Sequence, residues 1–242
     1  MDGFLNKSGE ARRNVLQTLF FSKNGKTKEE LEHDTVKEIV EKAFKNEKSN
    51  PYFSIMMDAM GDIGCFVDVD TNIAVKQCGE ELEEMLGAFN YEKNEIEICQ
   101  DSFSKASFAS QTRAMQTTLS NILVSAYDHC RANMNYKEPE MDMCSSIRAA
   151  ALSGQCSSET LQMGSRKVAS SKRGYQSCVI RNAVQSFLSR HPDYDLNAVQ
   201  PLVKKVFLTC FYDHSPHDRL PYDEKQAELS YKAYIHRNRY SI

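Results

Sequence analysis

Eight cysteines constrain this 242-residue chain most: Cys65, Cys78, Cys99, Cys130, Cys144, Cys156, Cys178 and Cys210 stand far apart, and no two form a CxxC pair. Zinc-finger spacing is therefore absent. An even number spread over separate segments suits a disulfide framework in an oxidising compartment, and buried free thiols would give the same spread. Spacing alone leaves both readings open, and eight cysteines allow roughly a hundred pairings.

A chain of this length builds one sizeable core or two small ones, because domains commonly hold ~100 to 200 residues. One main domain plus an extension is expected. The formal charge of −3 supplies no basic field of the kind that holds a polyanion, which argues against nucleic acid as a partner. The most apolar runs, residues 54–60 and 203–211, are interrupted by polar residues and fall short of the ~20 apolar residues a membrane helix needs. Arg12 and Arg13 stand beside Asp2 and Glu10, unlike the acid-poor presequences of the mitochondrial matrix, so no cleavable targeting signal is expected.

Hydrophobic spacing organises the chain. Val15, Leu16, Leu19 and Phe20 predict a helix over residues 8–21. Thr27 with Glu30 forms a capping box ahead of a helix over 27–48, whose narrow apolar stripe is Leu31, Val36, Ile39, Val40, Ala43 and Phe44. Asn50 and Pro51 start a further helix that Gly61 and Gly64 end. Short runs with partial period-two alternation predict strands over 65–69, 73–76, 87–91 and 95–99, with Asp70, Asn90 and Asn94 as turn residues. Helical spacing then returns over 113–131, 139–152, 174–190 and 196–212, followed by a polar tail. Residues 165–173 read as a basic, serine-rich loop. The pattern predicts an α+β fold, mainly helical with a small sheet.

Three segments carry a resemblance: SNILVSAYDHCRA (residues 120–132), CSSIRAAALSGQC (144–156) and VFLTCFYDHSPHDRLP (206–221). It extends through NPYFSIMMDAMGDIGC (50–65) and residues 78–99, 176–179 and 231–240. Together these resemble the intermembrane-space zinc metalloproteases that trim a membrane subunit of mitochondrial ATP synthase and help assemble that enzyme. The resemblance covers roughly the last four-fifths of the chain and implies a zincin-like fold. In that family HExxH is followed by two residues and then Asp-His-Cys-Arg-Ala, present here as Asp128, His129, Cys130, Arg131 and Ala132. That register puts Asn121 and Ser125 at the two histidine-ligand positions and Ile122 at the catalytic glutamate. A further family glutamate, a plausible third ligand, aligns with Ser146.

Histidines at i and i+4 share a helix face and hold zinc, and the glutamate between them is general base to the metal-bound water. Asparagine, serine and isoleucine do neither, and no other HExxH occurs in the chain. The resemblance therefore implies a pseudo-peptidase, with no catalytic residue, metal or cofactor expected. All eight cysteines fall on family cysteine positions. An N-terminal CxxC-type pair is missing, as is a cysteine close after Cys78, where Glu81 stands. An oxidised family implies up to about four bridges of ~2 to 4 kcal/mol each, partly replacing the metal as a staple.

Other features have plainer readings. Ser125, Asp128 and His129 name a triad, but such neighbours on one helix cannot align for hydrolysis. His214 and His217 read as a surface loop pair, and Met56, Met57 and Met60 as core filling. Arg148, with Ala149, Ala150, Ser153 and Gly154, reads as helix packing. A fold kept without its catalyst suggests a structural accessory subunit of a respiratory or ATP synthase complex, on the intermembrane-space side of the mitochondrial inner membrane. A free assembly chaperone and a hydrolase with changed chemistry are the alternatives. Residues 1–49 are expected as a helical extension that docks on a partner through the stripe of its second helix, and residues 50–242 as the degenerate zincin-like domain.

Overall fold

The computed structural model describes residues 26–78, 86–105, 111–158 and 172–238. The helix expected over 8–21, Glu81 and residues 165–171 of the expected loop lie outside them.

Helix α1 (Lys28–Lys45) begins with the capping box: the Glu30 N–H donates to the Thr27 hydroxyl and the Thr27 N–H to the Glu30 carboxylate. Most of its apolar stripe faces inward, while Leu31 stays at the surface and Phe44 packs at the core's edge. Val36, Ile39, Val40 and Ala43 are buried in the chain's own core, against the later helix of residues 111–132. Gln116 of that helix fixes the contact by donating to the Ala43 and Asn46 carbonyls, at 3.1 and 2.9 Å. The docking role expected for this stripe is thus corrected: the apolar face that suggested it is consumed internally.

Asn50 caps α2 (Pro51–Asp62) by accepting from the Tyr52 N–H, and Met56 and Met60 are buried in the core while Met57 packs at its edge. The strand expected over 65–69 is absent. The Asp68 carboxylate accepts from the Asp70 and Thr71 N–H groups and starts a single helical turn, α3 (Val69–Asn72), where a strand would need extended backbone.

The sheet holds β1 (Ile73–Lys76), β2 (Gly87–Asn90) and β3 (Glu95–Cys99) in the order β1-β3-β2. β3 is central, parallel to β1 with Ile73 opposite Ile96, and antiparallel to β2 with Gly87 opposite Ile98. Period-two alternation sends Ile96 and Ile98 into the core. Glu95 and Glu97 on the other face share the Lys76 ammonium, at 2.8 and 2.6 Å.

Helices α4 (Gln100–Lys105), α5 (Gln111–Ala132), α6 (Pro139–Leu152), α7 (Lys172–Arg190) and α8 (Leu196–Tyr212) follow. A further helix, α9 (Glu224–Ile235), replaces the expected polar tail. Asp223 caps it, and only Ala227 and Ser230 are fully buried, against α2, so its buried stripe is too narrow and too polar to show in a hydrophobic pattern. Helix α6 is the spine. It packs on α5, α7 and α8, and residues 145–152 are buried without a break, as befits a helix enclosed on all sides. The fold is α+β, mainly helical with one small sheet.

Gly154, just past α6, shows how closely the spine is wrapped. Its φ is +78°, and a Cβ there would lie 2.7 Å from the Tyr52 ring. Gly154→Ala therefore combines left-handed backbone strain with a clash, and urea unfolding should show a loss of about 1–3 kcal/mol.

Candidate functional site

The register quoted above places the site on α5 and α6, roofed by the edge strand β2. Asn121, on α5, donates to the Gln155 side chain at 3.2 Å. Ile122 is 3% exposed, and a Cβ on Gly87 of β2 would lie 3.0 Å from its Cδ1, so the side chain is wedged against the strand. A branched hydrocarbon thus stands at this position, with no group to act as a general base. Ser125 receives a hydrogen bond from Ser145 at 3.4 Å, and its carbonyl accepts from the Tyr136 hydroxyl at 2.5 Å. Ser146 donates to the Asp142 carbonyl at 2.8 Å and accepts from Arg190 at 2.7 Å.

Two cavities flank the Ile122 wedge. One of about 140 Å³ is lined by Asn121, Ile122 and Ser146, with the amides of Gln155 and Asn182. The other, about 320 Å³, is lined by Ser125, Tyr136 and Arg190 together with β2 and Glu97. The four positions are thus near one another, but they present an amide, a hydrocarbon and two hydroxyls. Zinc sites take imidazole, thiolate or carboxylate ligands, and among the described residues no group of three or more His, Cys, Asp or Glu could hold a metal. These residues do not fit zinc.

All eight cysteines are paired: Cys65–Cys130, Cys78–Cys99, Cys144–Cys210 and Cys156–Cys178. Ser125, Asp128 and His129 form no triad. Asp128 turns to Arg148, and the His129 Nδ1 lies 3.3 Å from the Met134 carbonyl.

Arg148 does more than pack, contrary to the reading of that segment. It is 2% exposed and its Nε donates to both Asp128 oxygens at 3.0 Å. Its other nitrogens meet the Asp213 carboxylate at 2.6 Å, the Asp213 carbonyl, and the Ser215 carbonyl at 2.6 Å. One guanidinium thus joins α5, α6 and the loop after α8. Burial pushes the Asp128 carboxyl up, against the pull of Arg148 and Arg131. Burial also raises Asp213, but Arg131 and Arg148 outweigh it and hold its carboxyl below the ordinary range.

His217 corrects a second expectation, because it lies in the interior and not on a surface loop. It is 3% exposed, its Nδ1 is 3.2 Å from the Ser230 hydroxyl, and its buried Nε2 has no hydrogen-bond partner. Burial lowers its pKa to about 3. Asp218 opposes the shift, His214 and Arg148 reinforce it, and the Leu152 backbone gives only partial relief. His214 is set apart, its Nδ1 lying 2.9 Å from the His217 carbonyl. Nothing in the local sequence distinguishes the two histidines: α9, which buries His217, reads as tail.

A family model described as Peptidase M76 family matches residues 34–218. The chain belongs to the Peptidase M76 family. Its relatives include the "Mitochondrial inner membrane protease ATP23 homolog" of Xenopus laevis, 30% identical over 194 residues that cover 79% of this chain and 77% of that one. The proteins of the same description from Homo sapiens (29% over 197 residues, 81% and 75% covered) and Danio rerio (30% over 193 residues, 79% and 71%) are similar to a like degree. No solved structure matches. Within the Peptidase M76 family this is a degenerate member, since the chain contains no HExxH motif and its described residues hold no group of three or more His, Cys, Asp or Glu that could bind a metal.

Removing Arg148 would leave Asp128 buried with Arg131, at 3.5 Å, as its remaining charged partner among the described residues. Arg148→Met should lower stability by about 3–5 kcal/mol in urea titrations. With burial then opposed only by Arg131 and the Ser145 hydroxyl, Asp128 keeps its proton to higher pH folded than unfolded. The variant's stability should accordingly fall as pH rises through the ordinary carboxylate value of 3.8. His217 works in the opposite sense. The unfolded chain takes up a proton below 6.5, whereas the folded chain does so only near 3, so acid favours unfolding across that window. Melting curves between about pH 7 and about pH 5 should show a steeper loss for the native chain than for His217→Phe.

Proposed function

We propose that this chain is a non-catalytic pseudo-peptidase serving as a structural accessory subunit of a large mitochondrial inner-membrane assembly, a respiratory complex or ATP synthase, on its intermembrane-space side. The observation that carries the reading is the Ile122 wedge. The chain belongs to the M76 family, yet Ile122, read as standing at the general-base position, is a buried hydrocarbon wedged against β2. Asn121, Ser125 and Ser146 are read as the emptied ligand positions, each hydrogen-bonded to a neighbour.

Three further points support the compartment and role. The relatives are described as mitochondrial inner membrane proteases. Four disulfides suit an oxidising space. Among the described residues no helix is long and apolar enough to cross a membrane, so attachment would run through partner subunits. We divide the chain into an extension over residues 1–49 and a zincin-like unit over 50–242, with α1 of the extension seated in the core of that unit.

Native-gel fractionation of solubilised mitochondria, with mass spectrometry of every slice, tests this. The chain should migrate with one inner-membrane complex at a constant ratio to its subunits. A peak near monomer mass, or one confined to assembly intermediates, sinks the subunit reading and favours a free chaperone. Peptide hydrolysis by the purified chain, lost on Asn121→Ala, would sink the non-catalytic reading.

A further inference from the structure

We infer that the Arg190 guanidinium is a built-in cation at the third ligand position of the former metal site, and that it bars a divalent cation even from a restored set of ligands. The inference concerns the cleft alone and stands whichever assembly the chain joins.

Arg190 ends α7 and reaches across to α6. Its Nη2 donates to Asp142 at 2.6 Å and to Ser146 at 2.7 Å, its Nε to the second Asp142 oxygen at 3.2 Å, and its Nη1 to Ser186 at 2.8 Å. The same side chain lines the cavity that Ser125 lines. The group therefore touches Ser146 directly and borders the space beside Ser125, between two of the three positions from which a metal would be held.

Asp142 fixes it there. This carboxylate is fully buried and takes the guanidinium in two-pronged geometry, while the His191 Nε2 lies 2.7 Å from one of its oxygens. A buried carboxylate needs a positive partner, and arginine supplies one that does not lose its proton. Arginine also has five donors and no lone pair to offer a metal, so it repels the ion without being able to ligate it. A glutamate placed at 146 would meet the guanidinium first.

The test rebuilds the ligands in the full, oxidised chain. Asn121→His, Ser125→His and Ser146→Glu together restore the three positions, and a second version adds Arg190→Met. Zinc and cobalt(II) are titrated against a chromophoric chelator, and bound metal is counted after gel filtration. The version lacking Arg190 should bind about one zinc per chain, and at least about tenfold more tightly than the version retaining it, the scale on which neighbours of a metal site act. Equal uptake with and without Arg190, whether full or absent, overturns the inference.

If the rebuilt chains do not melt cooperatively, the single change Ser146→Glu decides. It should be tolerated where Arg190 is present to pair with it and should lower the melting temperature clearly in Arg190→Met. Additive effects of the two substitutions would show that no cation stands at that position.

Discussion

The structure depends on how one enclosed helix carries two charges of opposite sign. Helix α6 is covered by α5, α7 and α8, yet holds Asp142 and Arg148, both fully buried. Neither could stay there alone, because an unpaired ion in the interior carries a desolvation penalty of several kcal/mol. Each is met from a different side: Arg148 by Asp128 of α5 and Asp213 of the loop after α8, Asp142 by Arg190 and His191 at the end of α7. The partners of α6 are therefore specified by charge as well as by shape. A slip of α7 or α8 along the spine would strand a charge, whereas apolar side chains alone would tolerate small displacements.

The disulfides repeat this arrangement covalently. Cys144–Cys210 joins α6 to α8, and Cys156–Cys178 joins the end of α6 to α7. Cys65–Cys130 ties the segment after α2 to the end of α5, and Cys78–Cys99 closes the sheet at the end of β3. The two devices act on different states. Bridges chiefly restrict the unfolded chain, while the buried ion pairs discriminate among compact arrangements. Together they hold α5, α6, α7 and α8 in register around the cleft.

What the sequence made legible follows from how local each signal is. Pro139–Leu152 and Leu196–Tyr212 could be read to the residue, since proline, Asp195 and unbroken helical spacing act within a few positions. Asp68 misled because a lone N-cap inside an apolar run reads as part of a strand until its two N–H partners are seen. Helix α9 was hidden because its buried face is alanine and serine, and with it the burial of His217. The register of α5 was legible from Asp128 and His129, and the reading of Asn121, Ile122 and Ser125 as emptied ligand and general-base positions rests on it. Arg190 was not legible. Its place at Ser146 is set by the path of α7 across α6, and 44 residues separate the two in sequence.

The side chains at the cleft between α5, α6 and β2 satisfy one another's polar groups. A metal site stripped of its ligands would leave polar atoms without partners, each costing about 1–3 kcal/mol. Here the Asn121 amide has Gln155, the Ser125 hydroxyl has Ser145, the Ser146 hydroxyl has Asp142 and Arg190, and Ile122 fills the gap beneath Gly87.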